Sequence, residues 1–78
     1  MDTINLKQLT EGTRAEILAL TAVGIERRRM LDLGLVPGTV AEALQRSPSG
    51  DPVAYLVRGA VLALRGEDAE KILVSPIK

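Results

Sequence analysis

The side chains most suggestive of chemistry are three consecutive arginines, Arg27, Arg28 and Arg29. Guanidinium groups bind carboxylates and phosphates, often through two parallel hydrogen bonds. The run therefore predicts a surface that meets an acidic partner or a phosphate. In the alternative interpretation two arginines are solvated and one lays its stem over the core. Arg29 is then the expected structural one, because it adjoins the apolar pair Met30-Leu31.

Tyr55 is the fourth candidate for a partner surface and the sole aromatic residue of the chain. A lone tyrosine in a strand is more often half-buried core than a platform for a ligand, and both interpretations stay open. Proline-rich peptides dock in grooves lined by several aromatic side chains. One tyrosine does not favour that kind of recognition.

The sequence contains no cysteine and no histidine, which excludes disulfides and thiolate metal sites and removes the usual neutral-pH base. Glu67 and Asp68 could contact a metal, but adjacent acids in a first helical turn are explained by the helix dipole. Ser47, Ser49 and Ser75 have no evident base to activate them. We therefore predict no catalytic residue, no metal site and no cofactor, and a protein that is not an enzyme.

The overall charge and hydropathy limit the partner classes. Ten basic and ten acidic residues give a net charge of zero, which removes the long-range field behind non-specific nucleic-acid binding. The apolar runs are short, and Met1 to Leu9 lacks the apolar region of a secretory signal. We expect a cytoplasmic protein with no nucleic-acid partner and no direct membrane insertion.

The elements that position these residues are short. A length of 78 residues predicts one domain over residues 1–78. Alternation and turn residues predict a helical turn at Leu6–Leu9, strands at residues 13–20, 39–46, 53–57, 60–64 and 72–74, and a helical turn within residues 66–71. A helix is predicted over Ile25–Leu33, with Ile25, Met30, Leu31 and Leu33 on its apolar side.

Glycine and proline set the turns between these elements. Gly34 is placed to stop the helix, Pro37-Gly38 suits a type II turn, and Arg58-Gly59 suits a tight hairpin in which Gly59 takes a positive φ. Five short strands with a helix after the first describe a small, mainly β barrel. The pattern alone does not choose between an SH3-like and an OB-like barrel.

The run from Arg29 to Thr39 resembles the signature of the FeoA family, ferrous iron transport protein A. Three further blocks agree in order, and the resemblance extends from about Leu6 to Val74. The first holds Leu6, Leu9 and Gly12; the second leads from Gly50-Asp51-Pro52 to Val57-Arg58-Gly59; the third holds Leu64-Arg65, Ala69, Ile72 and Val74. Met30 and Ala60 depart from the family's usual leucine and larger residue.

The resemblance implies an SH3-like barrel, a cytoplasmic location and action on FeoB, a membrane ferrous-iron transporter with a cytosolic GTPase domain. Within the family motifs, Gly34, Pro37, Gly38, Gly59 and Arg65 are interpreted as structural residues. An association with transition-metal binding belongs to the family, and the missing histidine and cysteine do not favour it here.

Three alternatives stay open at this point. The same fold forms the C-terminal domain of DtxR-like metal-dependent repressors, so a regulator-type domain is one. A nucleic-acid-binding small barrel, motivated by size and the triple arginine, is the second. Self-association into a homo-oligomer through exposed strand edges is the third.

Overall fold

The computed structural model describes residues 3–77, so Met1, Asp2 and Lys78 of the predicted domain lie outside the described residues. The described residues form six strands and two α-helices. The strands are β1 (Ile4–Asn5), β2 (Arg14–Leu20), β3 (Val40–Arg46), β4 (Val53–Val57), β5 (Ala60–Leu64) and β6 (Ile72–Ile77). The helices are α1 (Gly24–Asp32) and α2 (Gly66–Ala69), and a short 3-10 helix covers Leu6–Gln8.

The strands form one antiparallel sheet in the order β1-β6-β2-β3-β4-β5. The mainly β fold, the five predicted strands and the three predicted helical segments are confirmed. The structure adds β1, which pairs Ile4 with Val74 and Asn5 with Leu73. A strand of two residues is too short to show alternation, so this strand has no local signal in the sequence. Within residues 3–77 the end strands β1 and β5 do not pair with each other, and the barrel stays open.

The β4–β5 hairpin has the predicted bounds. Gly59 adopts a positive φ of 81°, and Arg58 also lies in the left-handed region with a φ of 51°. A two-residue turn with both central residues at positive φ is the type whose twist matches the flanking strands. The hairpin therefore closes tightly, with Val57 opposite Ala60.

The buried face of β2 follows strict alternation only in the first half of the strand. Ala15 and Ile17 are buried, but the register with β6 shifts between Ile17 and Ala19. A β-bulge inserts one residue and changes which side chains face the core. Leu20 is consequently buried in place of Ala19, and Leu18 is 42% exposed.

The predicted apolar side of α1 is wrong at two positions. Met30 is buried and Leu31 packs against the core, whereas Ile25 is 73% and Leu33 49% exposed. At 100° per residue, Ile25 lies about 140° around the helix from Met30. A short helix that rests on the sheet through Met30 and Leu31 therefore turns Ile25 to solvent.

The largest fully buried side chain is Tyr55, which is 1% exposed. Its place in the proposed partner surface is therefore wrong. Tyr55 lies opposite Ala43 on β3, and the small alanine leaves room for the ring. The hydroxyl donates a hydrogen bond to the Leu6 carbonyl oxygen at 3.2 Å, which satisfies both groups inside the core. Burial raises the pKa of the Tyr55 hydroxyl above 10.0.

We expect Tyr55→Phe to lower the free energy of unfolding by about 1–2 kcal/mol, because the buried Leu6 carbonyl loses its donor while the ring is kept. Urea denaturation followed by circular dichroism measures this. Leu62→Met, at the partly buried neighbour of Tyr55 on β5, is a conservative control for repacking. An unchanged midpoint for Tyr55→Phe would contradict the role of the hydrogen bond.

Candidate functional site

The start of α1 is held by an ion pair. Val23 precedes the helix in an extended conformation without a side-chain cap, and Gly24 has a φ of +62°. Lys71 Nζ donates to both carboxylate oxygens of Glu26, at 2.7 and 2.9 Å. This contact joins the first turn of α1 to the segment that enters β6. Its hydrogen bonds raise the pKa of Lys71.

The end of α1 is held by backbone hydrogen bonds. The Gly34 amide donates to the Leu31 carbonyl and the Leu35 amide to the Met30 carbonyl, each at 3.0 Å. With Gly34 at a φ of +98°, this is a Schellman motif, which satisfies carbonyls left open at a helix end. Met30 and Leu35 are both buried, and they supply the apolar contact that accompanies the motif.

A tight turn follows directly and returns the chain to the sheet. The Thr39 amide donates to the Val36 carbonyl across Pro37-Gly38 at 3.0 Å, and Gly38 has a φ of +94°. The Gly38 amide then donates to the Ile17 carbonyl at 2.7 Å. The orientation of α1 is therefore fixed against β2 by a short connection that hydrogen-bonds to β2.

All three arginines of the run are exposed, and one of them also bonds back to the sheet. Arg27 Nη1 donates to the Leu20 carbonyl at 3.3 Å, so Arg27, and not Arg29, returns to the body of the protein. Arg28 and Arg29 are exposed and follow the exposed Ile25 at three and four positions. Residues with that spacing are neighbours on a helix surface.

The exposed side of α1 combines apolar and cationic groups. Val23 is 78% exposed just before the helix, and Ile25 lies beside Arg28 and Arg29. We call Val23, Ile25, Arg28 and Arg29 the α1 face. Among the described residues, the two recorded ion pairs are Lys7–Glu70 and Lys71–Glu26, and neither involves this face. Apolar contact with arginine charges at its border is typical of protein interfaces.

A cleft of about 280 Å³ opens beside the α1 face, between α1, the end of β5 and α2. Met30 and Leu64 are buried, Leu33 is half exposed, and Arg29 belongs to both the cleft and the α1 face. The carboxylates of Glu26 and Asp68 complete the lining. A cleft with an apolar lining and charges of both signs suits one apolar side chain from a partner.

A second, polar groove of about 610 Å³ lies between the 47–52 loop and the start of α2. The Gly66 amide donates to Asp51 Oδ1 at 2.6 Å, so Asp51 supplies the acceptor for the first turn of α2. Arg65 is exposed in this groove and precedes α2. The Asp51 contact has no local signal in the sequence, because the acceptor lies 15 residues before its donor.

Within residues 3–77, no group of three or more histidine, cysteine, aspartate or glutamate side chains could hold a metal ion. In the same range, no helix has the length and apolar character needed to cross a membrane.

The comparison with protein families decides the family of this chain. The sequence model described as FeoA domain matches residues 4–76. The chain belongs to the FeoA family. The predicted resemblance is thus confirmed over nearly the whole sequence, and the geometry described above is that of a FeoA domain.

Two relatives illustrate the range of FeoA domains. The chain is 36% identical over 74 residues to the Fe(2+) transport protein A/Fe(2+) transporter FeoB fusion protein of Porphyromonas gingivalis. The match covers 95% of this chain and spans only 9% of that relative's length. The solution structure of FeoA from Chlorobium tepidum is 37% identical, with a TM-score of 0.89, and the match covers 96% of this chain and 71% of that chain.

A third structure identifies the barrel type. FeoA of Stenotrophomonas maltophilia, solved with zinc and described as a prokaryotic SH3 domain protein, has a TM-score of 0.83 at 25% identity. The match covers 92% of this chain and 89% of that chain. Of the two barrel types left open by the sequence pattern, the SH3-like one is confirmed. A manganese-dependent transcriptional repressor at 16% identity and a TM-score of 0.85 shares the fold alone.

We expect Gly34→Ala to lower the free energy of unfolding by about 1–2 kcal/mol, since an L side chain is strained at its positive φ. The added methyl group itself meets only ordinary contacts, with Arg58 Cδ at 3.5 Å. Thermal or urea unfolding measures the loss. Gly66→Ala is the matched control, because its nearest contacts are to the flexible Lys7 side chain and its φ is not positive. Equal losses in the two variants would contradict this explanation.

We also expect the Lys71–Glu26 pair to stabilise the fold in a pH-dependent manner. Because the pKa of Lys71 is raised above 10.5, the stabilisation is fully present below that ordinary value and is lost as pH rises through the raised one. Glu26→Gln should remove this part of the alkaline loss of stability. The pKa of Tyr55 is also raised, so both proteins are compared in the Tyr55→Phe background. If the free energy of unfolding fell equally in both proteins between pH 9 and 12, the expectation would be contradicted.

Proposed function

We propose that this FeoA domain is a cytoplasmic, non-enzymatic accessory protein of ferrous-iron transport, which acts as a single domain by binding the cytosolic part of a FeoB-like transporter. The observation that carries the proposal is the Porphyromonas gingivalis relative, in which a FeoA part and the Fe(2+) transporter FeoB occur in one polypeptide. Joining two modules by a short linker raises their effective concentration to the millimolar range. Such a fusion favours an interaction between the two parts.

The α1 face is the docking surface in this proposal. Its apolar residues Val23 and Ile25 are 78% and 73% exposed. Covering them with a partner removes apolar surface from water, which favours binding. Arg28 and Arg29 add two guanidinium groups suited to carboxylates on the partner. The adjoining cleft offers Leu33 and Met30 to a side chain that the partner inserts.

The amino-acid composition favours a function in protein–protein binding over catalysis or nucleic-acid binding. The whole sequence lacks histidine and cysteine, which supply most neutral-pH bases and thiolate nucleophiles. The zero net charge likewise gives no general attraction to nucleic acid. A surface-to-surface contact requires none of these features.

In cells that carry both genes, we expect deletion of this chain to impair ferrous-iron uptake while the transporter is still made. Uptake of radioactive iron under reducing conditions measures the effect, and co-purification from detergent extracts measures the association. Restoring the gene on a plasmid is the control. Normal uptake in the deletion strain, together with failure to co-purify, would overturn the proposed function.

The docking surface has its own test. The double variant Ile25→Ser, Arg28→Glu should weaken binding to the isolated cytosolic part of the transporter at least tenfold, about 1.4 kcal/mol. Both residues are exposed, so the unfolding midpoint should stay close to that of the wild type. Arg14→Glu, an equal charge reversal on the exposed side of β2, is the matched control. Equal binding by both variants would place the docking surface elsewhere.

A further inference from the structure

The outer edge of β5 is unusually open to another strand. β5 lies at the end of the sheet, and Ala60–Leu64 contains no charge and no proline. Its five residues pair with β4 in continuous register, without a bulge. Natural proteins protect edge strands by charge, proline, bulges or short length. The opposite edge, β1, is only two residues long, whereas β5 has none of these protections.

The hairpin geometry determines which backbone groups face outward. In a hairpin with a two-residue turn, the residues flanking the turn exchange both hydrogen bonds. Val57 and Ala60 are that pair, so the hydrogen-bonded positions on β5 are Ala60, Leu62 and Leu64. The amide and carbonyl groups of Val61 and Ala63 therefore point away from β4. Together they offer two donors and two acceptors to an added strand.

The side chains beside these groups form an apolar strip on the outer face. Val61 is 64% exposed and Ala63 is exposed. Their partners on β4 are Leu56 and Ala54, which are partly buried. A strand added to β5 would gain hydrogen bonds from its backbone and apolar contact from alternate side chains.

The positive charges at the two ends of β5 indicate the charge that an added strand has at its own ends. Arg58 precedes β5 in the turn and Arg65 follows it directly, and both are exposed. If a second copy paired antiparallel through β5, Arg58 of one copy would lie near Arg65 of the other at both ends. Like charges placed across strands are destabilising. The arrangement disfavours a second copy and favours a segment with acidic residues at its ends.

We propose that β5 is a strand-addition site for an extended segment of a partner protein, apolar at alternate positions and acidic at its ends. The added strand bonds to the outward amides and carbonyls of Val61 and Ala63, and its acidic ends meet Arg58 and Arg65. This surface shares no residue with the α1 face. The strand-addition site and the docking surface for the transporter can therefore be tested independently.

The test uses a synthetic heptapeptide of alternating valine and threonine with an acidic residue at each end, added to the full chain. Nuclear magnetic resonance should show slowed hydrogen exchange at the Val61 and Ala63 amides, with little change at Leu62 or in β1. A peptide of the same sequence with N-methylated valines loses its donors and should bind at least tenfold more weakly. A peptide with basic ends should also bind more weakly, by an amount that salt reduces.

Ala63→Pro removes one outward amide without removing a bond to β4, as edge strands tolerate, and should weaken peptide binding at least tenfold. Ala63→Val keeps the amide and is the matched control. Absence of slowed exchange at millimolar peptide would overturn the proposal, as would equal binding by the N-methylated peptide. Concentration-dependent protection of Val61 without peptide, with a doubled mass in sedimentation, would assign the edge to a second copy instead.

Discussion

The fold depends on one buried tyrosine, whose ring lies between β3 and β5 opposite Ala43 and Leu62. Tyr55 lies opposite Ala43, and its hydroxyl donates to the Leu6 carbonyl, 49 residues away in sequence. With no phenylalanine or tryptophan in the chain, no other residue supplies a comparable buried volume. The bond also joins the 3-10 helix to β4. The strands, and the helices that rest on them, are arranged around this contact.

The elements that short stretches of sequence determine could be predicted from those stretches alone. The hairpin was predicted with its bounds because Gly59 can adopt a positive φ, and the end of α1 because Gly34 can do the same. The bulge after Ile17 and the strand at Ile4–Asn5 have causes elsewhere in the chain. Their positions depend on the register with β6, which alternation within one segment does not contain.

The candidate site was predicted in part for the same reason. The arginine run is visible in the sequence, but the hydrogen bond that Arg27 alone makes to the Leu20 carbonyl depends on how α1 packs against the core. Ile25 was placed on the buried side because its type is apolar, and only the helix phase shows that it is exposed. The β5 edge gave no signal at all, since an apolar run is typical of a strand paired on both sides.

The attachment of α1 at both ends has a consequence for the thermodynamics of association. The Lys71–Glu26 pair holds its first turn and the Schellman motif at Gly34 holds its last. A segment already fixed in its bound conformation loses little conformational entropy when a partner arrives. Even a small apolar contact, such as the one that Ile25 and Val23 provide, can then contribute most of its free energy to affinity. The attachment of both ends thus makes α1 a preformed surface rather than a segment that must fold on a target.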